Sequence, residues 1–294
     1  AVELRIDADY RSYLIAQVTA ALAGKEQGGE EVDLPSLIGC LSWAATVMCG
    51  GAAYLCSLHE VKSLRKKRHR HARRAWHRGQ ARGPKEFAEA GALRAAEQEM
   101  VGDLNWWLGR LREPEWQGSR VLLPDAAAAV MVKSDASGLY GAGYHVLKEG
   151  AGDTHSGHWP WTAAQQREFG GDMVAKELQP VIVALRRHGA AWANRRVKFG
   201  LDNSGAVFSI LAGRAKSKAC RRLMREMGDL LAKYRIDVTA HWVPRELNVV
   251  ADLLSRQIDY GEALRRAGVV DGMVAQTGDY EAAIAAVAPL ALGG

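Results

Sequence analysis

Between residues 125 and 258 the apolar pattern switches repeatedly between a period of two and a period of 3.6, and few architectures accept such a run. Ala129 to Ser134 (AVMVKS) reads as a buried strand ending at Asp135. Gly138 to Leu147 (GLYGAGYHVL) reads as the next, with glycines where backbones pass closely. His155 to Trp161 suggests a third, edge-like strand. Leu178, Val181, Ile182 and Leu185 have the spacing of one helix face, and Val197, Phe199 and Leu201 then alternate with Lys198, Gly200 and Asp202 as a strand does. Leu223, Met227, Leu230, Leu231 and Tyr234 form a second helical stripe. Ile236, Val238, Ala240 and Trp242 alternate again, and Leu247, Val250, Ala251 and Leu254 make a last helical face. The order β-β-β-α-β-α-β-α predicts an α/β domain, a mixed sheet with helices packed on it.

The flanks differ. Residues 1–124 read as mainly helical: Leu34 to Leu58 is rich in Ala and Leu, and Phe87 to Leu111 follows a basic linker containing Gly83-Pro84. Residues 259–294 form a tail ending in an Ala-rich stretch and Gly293-Gly294. Leu37 to Leu58 is broken by Gly39, Gly50 and Gly51, so it reads as buried helices, and no apolar run reaches the roughly 18 residues of a membrane span. No membrane partner is expected. Trp106 and Trp107 read as packing on an amphipathic helix rather than as a surface for bases.

The net charge of +6 is unevenly placed: Lys62 to Arg82 (KSLRKKRHRHARRAWHRGQAR) contains no acid. Such a block suits the phosphates of nucleic acid, with Arg65, Lys66, Lys67, Arg68, Arg70, Arg73 and Arg74 as the contacts. A solvated basic arm is the alternative, and His69, His71 and His77 then belong to its polar face. Cys40, Cys49, Cys56 and Cys220 form no CxxC pair, which argues against zinc and for thiols in a reducing intracellular compartment, cytoplasm or nucleus. No signal peptide is visible, and a chain opening on Ala rather than Met is expected to be a fragment or a processed product.

Four acids sit at the ends of these elements. Asp135 and Asp202 each close a strand, Glu177 lies near the start of a helix beside its apolar face, and Asp252 sits beside Ala251 on the last helix. If the two strands are parallel neighbours, their carboxylates stand side by side at the end where α/β sheets bind ligands. Clustered carboxylates repel unless a cation lies among them. Hard oxygen ligands favour Mg²⁺, with Mn²⁺ as a substitute. Two such ions about 4 Å apart activate a water and stabilise the leaving oxygen of a phosphodiester. Taken singly, each acid is equally well a turn residue, a helix-end charge or a surface group. Glu168 and Asp172 lie near Glu177 as alternatives.

Four segments, KSDASGLYGAG (133–143), KELQPVIVAL (176–185), VKFGLDNSGAV (197–207) and WVPRELNVVADLLSR (242–256), resemble the ribonuclease H domains of retroelement reverse transcriptases. Pro180 in the second segment and SRQIDYGE after the last look most like the DIRS-type tyrosine-recombinase retrotransposons. The resemblance implies a ribonuclease H-like five-stranded mixed sheet over 125–258, preceded by thumb and connection helices. It implies Asp135, Glu177, Asp202 and Asp252 as ligands of two Mg²⁺ ions, an RNA/DNA hybrid as substrate, and the polymerase part of the same polyprotein as a partner. The palm with its paired polymerase aspartates is absent, so no copying activity is expected of this chain alone. Many members carry a His immediately before the I/V-P of the last segment; here Trp242 holds that position and His241 lies one residue earlier, as a candidate proton carrier.

Asn203 is read as a contact to the nucleic-acid backbone or as a helix cap. Ser217 and Lys218 open a helix where a phosphate could sit. Two other functions remain open: a relic or domesticated domain that binds nucleic acid without cleaving it, and a DNA transposase, integrase or resolvase of the same fold superfamily. Those transposases usually carry two Asp and then a late Glu, whereas here the Glu comes second.

Overall fold

The computed structural model describes residues 2–4, 6–27, 33–48, 50–78, 84–113, 120–122, 130–147 and 155–277. The chain divides into two units, Ala1–Leu122 and Leu123–Gly294. Among the described residues no helix is long and apolar enough to cross a membrane.

The first unit begins and ends on a short antiparallel pair, β1 (Val2–Leu4) with β2 (Arg120–Leu122). Between them lie α1 (Ala8–Gln27), α2 (Leu34–Val47), α3 (Cys56–Arg78) and α4 (Pro84–Arg112). The apolar run does not continue as one helix. Gly50 takes a left-handed φ of 79°, and a 3-10 turn over Gly51–Leu55 redirects the chain into α3. Trp107 is fully buried and donates its indole N–H to the Tyr54 carbonyl at 3.2 Å, and Trp106 stacks on the Tyr54 ring at 3.9 Å between centroids. Both tryptophans therefore pack this turn, as expected. The expected basic linker is largely helix: α3 carries the block as far as Arg78. The reason is local, since Lys, Arg and Leu are good helix formers and neither Gly nor Pro interrupts Lys62 to Arg78. Buried Leu58 and Val61 anchor its first turns.

The second unit runs β3 (Val130–Ala136), β4 (Gly141–Leu147), β5 (Ser156–Pro160), α5 (Ala163–Phe169), α6 (Met173–His188), β6 (Arg196–Leu201), α7 (Ser204–Ala212), α8 (Lys218–Tyr234), β7 (Asp237–Trp242), α9 (Val249–Ser255) and α10 (Tyr260–Thr277). The five strands lie in the order β5-β4-β3-β6-β7. The first three pair antiparallel, while β3, β6 and β7 are parallel. This is the mixed, helix-flanked α/β sheet expected of a ribonuclease H-like domain. Two short helices, α5 and α7, add to the predicted order, and the expected tail begins as α10.

Each sheet face is covered for a readable reason. Leu178, Val181, Ile182 and Leu185 are all fully buried, so the α6 stripe lies against the core. The opposite face approaches α9 closely at the β4 glycines. A Cβ on Gly143 would lie 2.5 Å from the Leu254 Cβ and 3.0 Å from the Leu254 carbonyl carbon. Replacing Gly143 by Ala forces α9 away from β4 and is expected to destabilise the protein by about 1–3 kcal/mol. Urea unfolding checks this: the midpoint falls while the slope stays constant. An unchanged midpoint shows that α9 yields freely.

Candidate metal centre

Pairing between the parallel strands β3 and β6 runs from Val130↔Val197 to Lys133↔Gly200 and then stops. Beyond that point β3 carries Asp135, and Asp202 follows the end of β6. Both have the parity of the face that α9 covers. Glu177, in the second turn of α6, meets them from the other side. Ligand oxygens of Asp135, Glu177 and Asp202 all lie within 4.8 Å of one another.

Asp135 and Glu177 are buried, and Asp202 is half-buried. Burial first, and then the charges of Asp202 and Asp252, push the Asp135 carboxyl up to about 6, against the opposing Ser255 hydroxyl and Arg245 guanidinium. Burial, followed by the charges of Asp135 and Asp202, holds Glu177 well above the usual carboxylate range. Asp202 is raised by burial and by Asp252, with Arg245 opposing. The Glu177 Oε2 is buried without a hydrogen-bond partner among the described residues. An orphaned carboxylate oxygen between two other carboxylates fits a hard divalent cation, and the all-oxygen donor set favours Mg²⁺ or Mn²⁺ over softer metals.

Asp252 stands apart from this trio. Its Oδ1 accepts from Arg245 Nε at 3.1 Å and Nη2 at 2.7 Å, and its Oδ2 faces Arg256 Nε at 3.1 Å. It still acts on Asp135, Glu177 and Asp202 through its charge.

Four side chains that the sequence did not single out hold the frame. Asn248, fully buried, donates from Nδ2 to the Ser134 carbonyl at 3.0 Å. Lys133 Nζ donates to the Leu247 carbonyl at 2.6 Å, so together they staple the segment before α9 to β3. Lys176, also buried, donates from Nζ to the Gly138 carbonyl at 2.6 Å and pins the β3–β4 turn beside Glu177. Trp242, more than half exposed, donates its indole N–H to the Asp202 carbonyl at 2.8 Å. A Lys or Asn within four residues of a site acid is the only signal in the sequence for Lys133, Lys176 and Asn248, and Trp242 has none, since each partner is a backbone carbonyl distant along the chain.

Other candidates fall elsewhere. His241 lies on β7 opposite Gly200, level with Lys133 and outside the acidic trio. Burial, then Lys133 and Lys198, lower its pKa and favour the neutral imidazole. Ala240 is buried as the alternation requires, but Trp242 on the same face emerges at the strand end. Asn203 caps α7, its side chain accepting from Ala206 N at 3.1 Å, and Ser217 caps α8 through Cys220 N at 3.1 Å, with Lys218 next in that first turn. Asp172 caps α6, and Glu168 pairs with Arg222 at 2.6 Å, so neither replaces Glu177. In the first unit, Arg65, Lys66, Lys67, Arg68, Arg70 and Arg73 are ranged along α3, and the Arg74 side chain lies outside the described residues.

Three solved structures resemble about half of the chain. They are RNase H1 from the halophilic archaeon Halobacterium salinarum NRC-1 (18% identity, 47% of this chain and 99% of that one, TM-score 0.35), the N-terminal RNase H domain of a Mycobacterium tuberculosis protein solved as a maltose-binding-protein fusion (19%, 48% and 99%, 0.35), and LC11-RNase H1 in complex with an RNA/DNA hybrid (17%, 46% and 99%, 0.35). No family model and no curated protein matches the chain. Strand order and register, rather than these scores, establish the α/β ribonuclease H-like fold.

The carboxyl pKa values have a consequence for stability without metal. A carboxyl whose folded pKa is raised contributes stability below its unfolded pKa and loses it as pH rises through the folded value. For Asp135 that window runs from the ordinary aspartate value of 3.8 to about 6, and Glu177, also raised, contributes with the same sign. Metal-free protein is therefore expected to melt at lower temperature at pH 8 than at pH 5, and Mg²⁺ or Mn²⁺ at pH 8 should recover the loss. Asp135→Asn should flatten both responses. Melting curves with and without EDTA provide the measurement, and a pH-independent melting temperature contradicts the reading.

Proposed function

We propose that the second unit is a ribonuclease H, hydrolysing the RNA strand of RNA/DNA hybrids with two divalent ions, and that the chain is the C-terminal part of a retroelement reverse transcriptase. The observation that carries this reading is the trio of Asp135, Glu177 and Asp202, two of them buried, with its orphaned Glu177 oxygen at the carboxyl ends of neighbouring parallel strands. Bound there, Mg²⁺ or Mn²⁺ would supply the charge that activates a water and stabilises the leaving oxygen of a phosphodiester. Asp135, Glu177 and Asp202 would hold these ions, and Asp252, now paired with Arg245 and Arg256, would be a further ligand. Asn248 and Trp242 hold the Asp135 and Asp202 strand ends in place. RNA would be distinguished from DNA by its 2′-hydroxyls. The products would carry 5′-phosphate and 3′-hydroxyl ends. The resemblance adds the polymerase part of the same polyprotein as a partner, and the cysteine spacing, without a CxxC pair, suits a reducing intracellular compartment.

One observation favours a second reading, a nucleic-acid-binding domain without catalysis: Asp252 is engaged by Arg245 and Arg256 rather than joined to the trio. Labelled RNA/DNA hybrid, duplex DNA and duplex RNA incubated with Mg²⁺ separate these readings. The expected outcome is cleavage of the hybrid's RNA strand alone. Asp202→Asn should reduce it by more than the roughly 10- to 100-fold that losing a partner of a metal ligand costs, with the fold intact. Full activity in Asp202→Asn contradicts the metal assignment. An inert wild-type protein that still binds hybrid favours the second reading.

A further inference from the structure

The first unit contains a groove of about 1070 Å³. Its walls come from three elements: the start of α2, one face of α3, and the middle of α4. Lys62, Arg65, Lys66, Arg68 and His69 reach it from α3, and Arg94 reaches it from α4. Nothing in the sequence pattern joins Arg94 to the basic block. Among the described residues, only Asp33 and Glu97 stand against these cations, and Glu97 is already engaged by Arg65 at 2.9 Å. Among the same residues no acid pairs with Lys62, Lys66, Arg68 or Arg94. Elsewhere on α3 the basic block is used differently. Lys67 and His71 pair with Glu89 at 3.2 and 3.0 Å, and exposed Arg70 and Arg73 lie outside the groove.

We propose that this groove is a nucleic-acid-binding site that grips a phosphodiester backbone without reading its sequence. An occupant must carry repeated negative charge, because cations line the groove along α3 and face it from α4. An acidic amphipathic peptide fits poorly. Such a helix docks its apolar face into a hydrophobic groove, and here Leu34 and Leu93 are buried while no large exposed apolar side chain among the described residues lines the walls. Nor does any Phe, Tyr or Trp among them line the groove, so bases have no stacking platform and the contacts fall on phosphates. Opposed cations on two helices also distinguish a groove from a diffuse basic arm: the charges outside it are predicted to matter little. The site is separate from the acidic trio and stands whether or not that trio cleaves.

The test compares two equally charged double variants of the full chain, Lys66→Gln/Arg94→Gln inside the groove and Arg70→Gln/Arg73→Gln outside it. All four side chains are exposed and unpaired among the described residues, so both variants should melt like wild type. Affinity is measured against mixed-sequence single-stranded RNA, single-stranded DNA and RNA/DNA hybrid, in EDTA so that nothing is cleaved, over a series of salt concentrations. The groove variant is expected to bind about tenfold more weakly. On single strands the slope of log affinity against log salt should become shallower by roughly 0.7 for each phosphate no longer neutralised. The outer variant should keep the wild-type slope. The three nucleic acids show whether a single strand or a hybrid supplies the backbone. Equal losses in the two variants overturn the groove in favour of a diffuse arm. Unchanged binding in the groove variant, or tighter binding of polyglutamate than of any oligonucleotide, overturns it as well. Cleavage plays no part in this assay, so a failed groove leaves the nuclease reading standing, and an inactive nuclease leaves the groove standing.

Discussion

Charge repulsion inside the second unit is the constraint on which the rest of that unit depends. Asp135 and Glu177 are buried within 4.8 Å of each other and of Asp202, where solvent screens them poorly. Left to themselves, such groups would neutralise or separate. The fold prevents separation. Once β3–β6 pairing ends at Lys133 and Gly200, the two strand ends are no longer joined to each other by a ladder, and side chains hold them in addition to their pairing with β4 and β7. Asn248 takes the Ser134 carbonyl, Trp242 takes the Asp202 carbonyl, and Lys176 fixes the turn after β3. The close approach of Leu254 to Gly143 then seats α9 on the same end of the sheet. Rigid placement of like charges gives a cation site its selectivity, because the preorganised oxygens cannot relax away from one another.

The two units use charge in opposite ways. In the second, acids are concentrated and buried at one strand end. In the first, cations are shared among fixed ion pairs, an outer face and a groove. A nuclease of the proposed kind would need both, since a cluster of carboxylates does not attract phosphates unaided. Metal would neutralise the acids, and a cationic surface would supply long-range attraction and non-specific grip.

Much of this was legible in the sequence where a period carried it. The α6 stripe, the alternation in β6 and the glycines of β4 each report a packing requirement that a single side chain either meets or violates. Acids at strand ends were legible because the alternation stops at them. Short elements were not: α5 and α7 span 7 and 9 residues, too few for a helical period to declare itself. The basic block reads as a linker or solvated arm because its charge pattern says nothing about backbone; its helix follows from Lys, Arg and Leu propensity. Nor could the sequence show that Arg245 and Arg256 draw Asp252 away from the other acids, or that Lys133 and Asn248 reach carbonyls 114 positions away. Those hydrogen bonds depend on tertiary proximity and leave no periodic trace.

Proton release on metal binding tests the central claim, that the trio is a divalent-cation centre, most directly. Carboxyls held partly protonated by burial and mutual repulsion must lose those protons when a cation takes their place. Calorimetric titration of the protein with Mn²⁺, in buffers of different ionisation enthalpy, counts those protons. With Asp135 raised to about 6 and Glu177 held well above the usual carboxylate range, the trio is predicted to release more protons at pH 6 than at pH 8, and fewer in Glu177→Gln. Binding without proton release at pH 6, or a Glu177→Gln protein that binds and releases as wild type does, would contradict it.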